Sequence, residues 1–92
     1  MSESAANEDQ IAFWNGAAGT KWVRMQAGID AFLQQPLNEL MKISNPKPGD
    51  NVLDIGCGAG TSTFDLAQRV GPKGSVTGID ISRPLLELAA QR

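Results

Sequence analysis

Ninety-two residues set an upper limit of one domain, and a hydrophobic content of 41% allows only a modest core. Ten acidic against eight basic side chains leave a net charge of −2, without the basic stripe that a phosphate backbone or an anionic lipid surface requires, so a nucleic-acid or membrane partner is not expected. With no histidine and a single cysteine, Cys57, the sequence offers no internal disulfide, no zinc site and no Ser-His or Cys-His catalytic pair.

The opening MSESAANEDQ is polar and acidic, unlike a secretory signal or an Arg-rich transit peptide, and no apolar run approaches membrane-spanning length. The expected location is the cytoplasm. Residues 1–8 are expected to fray. From Glu8 to Ile43 the pattern is helical, interrupted at Asn15-Gly16-Ala17-Ala18-Gly19, where two glycines favour a turn. Trp22, Gln26, Ile29 and Leu33 then recur at helical spacing, and Pro36 is expected to start a further short helix with Leu37, Leu40 and Met41 on one face. SNPKPGDN, residues 44–51, is a loop with Pro48-Gly49 as its turn signal.

After that loop the period changes. Asn51 to Ile55 reads as a short buried strand, and DIGCGAG, residues 54–60, is the turn that leaves it. Thr61 or Ser62 is expected to cap a helix reaching about Val70, with Asp65 in capping-box position after Ser62 and Arg69 near the carboxyl end. Gly71-Pro72 stops that helix. Ser75 to Ile79 reads as a second strand ending at Asp80. Ser82 then caps a second helix in which Pro84 occupies the permitted first turn and Leu85, Leu86, Leu88 and Ala89 form an apolar side. Strand, helix, strand, helix predicts an α/β architecture: a βαβα unit with parallel strands, preceded by an N-terminal helical segment.

The turn poses the functional question. A glycine-rich link between strand and helix lets a ligand touch bare backbone, and the free amides of the following helix favour a negative group. Dinucleotides place a pyrophosphate there, with glycines spaced G-x-G-x-x-G. Here Gly56, Gly58 and Gly60 are spaced G-x-G-x-G, and Asp54 stands two residues ahead of the first. A carboxylate in that place would repel a diphosphate and attract an ammonium or sulfonium group. S-adenosylmethionine carries both cations and no phosphate.

VLDIGCGAGTST, residues 52–63, resembles the nucleotide-loop motif of Rossmann-like S-adenosylmethionine-dependent methyltransferases, and VTGIDIS, residues 76–82, resembles the acidic end of their second strand. Lys-Pro-Gly-Asp at residues 47–50 is of the same type, so the resemblance runs from Lys47 to Arg92. It implies that Asp54 engages the methionine amino group, often through water, and that Gly56, Cys57, Gly58 and Gly60 belong to the loop lining the cofactor. It implies further that Asp80 accepts hydrogen bonds from both ribose hydroxyls while Ile81 packs beside the adenine. The chemistry implied is methyl transfer with S-adenosylmethionine as cofactor, and a small-molecule acceptor is expected. No residue stands out as a general base, so no catalytic group is assigned.

Ordinary structural roles exist for the same residues. The glycines could serve tight packing, Asp54 or Asp80 could cap amides at a strand end, and Gly78 within a strand suggests a close approach by neighbouring backbone. Cys57 reads as a small filler, since no basic neighbour in sequence lowers its pKa. Trp14 and Trp22 read as anchors of a helical preface. A lid over cofactor and substrate, touched by Trp22, Arg24 or Gln26, is what the family resemblance adds. The expected division is a preface at residues 1–45, a possible lid, and the first half of a methyltransferase domain at 46–92. Two parallel strands leave unpaired edges, so a partial methyltransferase fold is expected: a fragment, a split protein or an obligate oligomer, marginal as an isolated monomer. A nicotinamide dinucleotide-binding fragment and a non-catalytic interaction module are the two alternatives.

Overall fold

The computed structural model describes residues 2–92, with side chains from residue 7 onward. The first helix, α1, spans Ser2–Asn15, so most of the segment expected to fray is helical; Met1 lies outside the described residues. Ala, Glu and Gln in this stretch are good helix formers, which local reasoning about a chain end undervalues. The chain breaks at Gly16 alone and resumes at once as α2, Ala17–Arg24. The expected five-residue turn therefore shrinks to one residue, and Gly19 lies buried inside α2.

Gly19 has a packing reason to be glycine. A Cβ built on it would lie 2.1 Å from the Trp14 carbonyl oxygen and 3.0 Å from Ser82 Oγ. The corner between α1 and α2 thus closes over a strand-to-helix connection that is distant in sequence.

A second break at Met25 leads into α3, Gln26–Ser44, which runs straight through Pro36. The expected helix start at Pro36 does not occur. Proline removes one helical hydrogen bond, whose acceptor would be the Phe32 carbonyl. Phe32 is 83% exposed, so water can satisfy that carbonyl, and the surrounding Gln, Leu and Glu residues carry the helix past it. Asn45 ends α3 in the left-handed region at φ 47°, a conformation Asn tolerates better than most side chains. In the loop that follows, Asp50 Oδ2 accepts the Lys47 N–H at 2.8 Å, and the Asp50 N–H donates to the Lys47 carbonyl at 3.0 Å. Pro48-Gly49 is closed from both sides.

The remaining elements fall where the sequence puts them. They are β1 at Asn51–Ile55, α4 at Thr61–Val70, β2 at Ser75–Ile79 and α5 at Arg83–Gln91. The two strands pair in parallel with Asn51 opposite Ser75 and Ile55 opposite Ile79, which brings the DIGCGAG turn and Asp80 to the same end of the sheet. Both strands alternate between exposed and half-buried residues, so β1 is not the buried strand expected. Helix α4 covers one face with buried Leu66 and Val70, whereas Leu53, Ile55 and Ile79 on the sheet are 56%, 75% and 46% exposed. Gly78 answers a close approach, though by a side chain rather than backbone: its built Cβ would lie 2.8 Å from Cys57 Sγ and 3.2 Å from Thr63 Oγ1.

Candidate functional site

The turn after β1 is shaped by its glycines. Gly56, Gly58 and Gly60 all hold positive φ, at 75°, 54° and 90°, a region that costs other residues roughly 1–2 kcal/mol. The N–H groups of Gly56 and Cys57 both donate to the Ile79 carbonyl, at 2.8 and 3.0 Å, fastening the turn to the end of β2. Two of the backbone amides that the sequence offered to a ligand are therefore used internally. What the turn presents instead is open space: no atom lies within 4 Å of a Cβ built on Gly56.

Asp80 completes this junction. Its Oδ2 accepts the Gly58 N–H at 2.9 Å and its Oδ1 accepts the Ser82 N–H at 2.8 Å. A carboxylate offers about four acceptor positions, so these two bonds fix its plane and leave roughly two positions for a ligand. Asp80 lines a cleft of about 520 Å³ together with Trp14, Trp22, Gly56, Gly58 and Ile81. A second cleft, of about 320 Å³, lies between the turn and α3; Ile29, Leu33, Leu37 and Leu40 give it an apolar wall opposite Gly56, Cys57 and Gly58. Trp22, Gly56 and Gly58 belong to both clefts, so the two spaces adjoin at the glycine turn. The helical-spacing stripe of α3 thus faces the glycine turn.

Asp54 and Gly60 line neither cleft. The Ser62 and Thr63 hydroxyls both donate to Asp54 Oδ2, at 2.7 and 2.8 Å, so this carboxylate ties β1 to the first turn of α4. Ser62 itself lines the second cleft, and Asp54 reaches that space only through it. Gly60 is the cap residue of α4, and a Cβ there would come within 3.0 Å of the Phe64 ring. Contrary to expectation α4 has no side-chain cap, because the cap position falls on Gly60, which has no side chain; Thr61 and Ser62 lie inside the helix, where their hydroxyls donate to Asp30 Oδ1 at 2.7 Å and to Asp54 Oδ2 at 2.7 Å. Asp65 does not close a capping box either; its Oδ1 pairs with Arg69 Nε one turn on, at 2.8 Å. Ser82, by contrast, caps α5 as expected, accepting from the Leu85 N–H at 3.4 Å.

The electrostatic sense of the turn can be read from Cys57. Burial, and then the negative charges of Asp54 and Asp80, push its thiol pKa above the usual value, so the sulfur stays protonated. Burial opposes any charge there, and the two carboxylates bias the turn further against an anion such as a diphosphate. The filler role of Cys57 fits its burial against Gly78.

Several contributors carried no signal in the sequence. Asp30 accepts hydrogen bonds from Gln26 Nε2 and Thr61 Oγ1, each at 2.7 Å, and its Oδ2 pairs with Arg92 at 3.0 Å. Burial alone would raise its pKa, but the bonds from Thr61 and Gln26 and the Arg92 charge outweigh it and hold the carboxyl below its usual value. Arg92 also donates to the Ala59 carbonyl at 3.1 Å, stitching α3 to the glycine turn. On the other side, Trp14 and Trp22 meet edge to face at 5.6 Å and wall the first cleft, so anchoring the preface and lining the site are one arrangement. Helical spacing could flag Asp30 as a neighbour of Gln26, but nothing local joins either to residues 61 and 92.

Among the described residues no group of three His, Cys, Asp or Glu side chains could hold a metal, and no helix is long and apolar enough to cross a membrane. Comparison with known proteins matches residues 46–92, half of the chain, to a methyltransferase domain family. The chain is 36% identical over 90 residues to a demethylmenaquinone methyltransferase of Lactococcus lactis, covering 96% of this chain and 35% of that protein. It is 42% identical over 59 residues to nocamycin O-methyltransferase of Saccharothrix syringae, covering 64% and 21%. A 2-phytyl-1,4-naphtoquinone methyltransferase of a Nostoc strain is 50% identical over 52 residues, 56% of this chain and 23% of that one. This chain therefore spans about a fifth to a third of the length of these relatives. Among solved structures, a SAM-dependent methyltransferase from Aquifex aeolicus superposes with a TM-score of 0.53 at 34% identity, over 60% of this chain and 29% of that one. With the parallel βαβα unit, the glycine turn and the paired strand-end acid in place, this chain belongs to the Rossmann-like S-adenosylmethionine-dependent methyltransferase family.

Proposed function

We propose that the chain binds S-adenosylmethionine in the cleft beside the glycine turn and that the protein transfers its methyl group to a small molecule. The observation that carries this reading is the Asp80 carboxylate: fixed by two backbone amides, it keeps acceptor positions toward a cleft floored by open Gly56. A volume of about 520 Å³ lies within the range of small-molecule sites. In this reading Asp80 holds the ribose hydroxyls, Ile81 packs on the adenine, and the backbone of Gly56 and Gly58 lets the cofactor lie close. Cys57 contributes backbone only. Asp54 acts on the methionine end through Ser62 and through its charge, rather than by direct contact. The bound cofactor supplies an electrophilic methyl on a sulfonium sulfur, which a negative turn suits better than it would suit a diphosphate.

The names of the relatives support a small-molecule acceptor. The second cleft, apolar along α3 and joined to the first at Gly56 and Gly58, is where this reading places part of that acceptor. This chain's part in the transfer is to bind and orient, the source of most of the acceleration in such displacements. Residues 1–45 serve as a fixed wall to the site and residues 46–92 as the first half of the methyltransferase domain. A cytoplasmic location belongs to the same reading, in keeping with a lone free thiol.

Isothermal titration of the intact protein with S-adenosylhomocysteine and, separately, with NADH tests the reading. It predicts saturable binding of the first and at least ten-fold weaker binding of the second. Preference for NADH would replace it with dinucleotide binding, and no binding of either would point to an interaction module.

A further inference from the structure

Three consecutive residues after Asp80 are gripped by two consecutive residues of the preface. The Asn15 side chain donates through Nδ2 to the Ile81 carbonyl at 2.7 Å, and its Oδ1 accepts the Arg83 N–H at 2.8 Å. Between these two, Ser82 Oγ donates to the Trp14 carbonyl at 2.7 Å. Asn15 is itself braced, since Nδ2 also donates to the Ile11 carbonyl one turn back in α1, at 2.8 Å. Gly19 lets α2 close over this contact, because any side chain there would strike the Trp14 carbonyl.

The grip reaches the ligand-facing carboxylate through a near neighbour in the chain. Asp80 takes one of its two fixing bonds from the Ser82 N–H, so the orientation of its plane depends on where Ser82 sits. Asp80, Ile81 and Ser82 link β2 to α5, and Arg83 is the first residue of that helix; Ser82 is fully buried, whereas Ile81 is not. Ile81 is 51% exposed, and little packing holds it. Among the described residues, the carboxamide of Asn15 is the one side chain that meets both a carbonyl and an amide across this connection, a two-point grip that fixes rotation as well as distance.

We propose that Asn15 is a positioning residue for nucleoside binding, holding the Ile81–Arg83 connection so that Asp80 presents its free acceptor positions to the ribose. The assignment rests on the cofactor reading above. It makes the α1–α2 corner of the preface part of the cofactor site's framework, with Trp14 supplying both a cleft wall and the carbonyl that Ser82 binds.

A double-mutant cycle on the affinity of the intact protein for S-adenosylhomocysteine tests this role. Asn15→Ala should weaken binding about five- to ten-fold, the scale of one lost hydrogen bond of about 1 kcal/mol. In an Asp80→Ala background the same change should matter by less than about two-fold, because the carboxylate it positions is gone. Adenosine should lose affinity by the same factor as the full ligand. Asn15→Asp keeps the shape and the acceptor for Arg83 but sets a carboxylate oxygen against the Ile81 carbonyl, and should weaken binding at least as much. A merely stabilising role would lower the melting temperature and leave the affinity of the folded protein unchanged. Binding by the wild type that neither variant alters, or equal losses in both backgrounds, would overturn the assignment alone. No binding by the wild type would overturn the cofactor reading and the assignment with it.

Discussion

Replacing Asp80 by alanine should weaken the protein in two separable ways, one visible without ligand. In the free protein the carboxylate accepts two backbone amides, Gly58 at 2.9 Å and Ser82 at 2.8 Å. Hydrogen bonds to a charged acceptor contribute roughly 1.5–3 kcal/mol each, and for a partly exposed group the lower end applies, so the loss should be about 3 kcal/mol. In the complex a further 1.5–3 kcal/mol, roughly, from the ribose contacts should disappear, a ten- to hundred-fold rise in Kd on the same scale. Urea denaturation of the free protein measures the first effect and calorimetry with S-adenosylhomocysteine the second. A variant as stable as wild type would refute the bonding described at the turn. One that is destabilised but binds normally would refute the ribose role of Asp80 while leaving its structural role intact.

Gly58→Val should cost about 1–2 kcal/mol of stability and weaken ligand binding, because a β-branched side chain must adopt φ near 54°; a variant that melts and binds like wild type would contradict backbone contact there. Gly19→Ala should destabilise by roughly 1–3 kcal/mol, since its methyl would meet the Trp14 carbonyl, and near-neutral thermal melts would mean the α1–α2 corner is not seated as described. Asp30 binds its proton more weakly in the folded state than the ordinary value of 3.8, so the unfolded chain takes up protons first on acidification. Its contribution to stability should be present above pH 3.8 and fade as the pH falls through the lower folded value, and Asp30→Asn should flatten that part of the urea-stability profile. Cys57 should react slowly with a thiol-specific reagent at neutral pH until the protein is denatured, because burial and two carboxylates keep it protonated; rapid native-state reaction would show an accessible thiolate.

The second half of the chain was legible because its signals are local. Asn51–Ile55 and Ser75–Ile79, with a glycine turn and a Ser-x-Pro helix start, depend on neighbours within a few residues, and the strand bounds agree with the structure. The preface was less legible because distant partners decide it. Gly19 looks like a helix breaker until the Trp14 carbonyl and Ser82 are seen against it. Pro36 looks like a helix start until the exposure of Phe32 shows that its lost bond can be solvated. The same limit applies to the site. Four expected residues, Gly56, Gly58, Asp80 and Ile81, line the first cleft, and Cys57 lines its neighbour. Asp54 and Asp80 add to burial in raising the Cys57 thiol pKa, but Asp54 acts from behind Ser62. Spacing alone did not indicate that hydroxyls eight and nine residues on would occupy that carboxylate, nor that Asn15 and Asp30 would reach across the fold.

The most direct measurement is a crystal structure of the intact protein with S-adenosylhomocysteine. The account predicts ribose hydroxyl oxygens about 2.5–3 Å from the Asp80 carboxylate, the nucleoside lying across Gly56 and Gly58, and the Gly58 and Ser82 amides still bonded to Asp80. A nucleoside seated elsewhere, with Asp80 turned from it, would contradict the account.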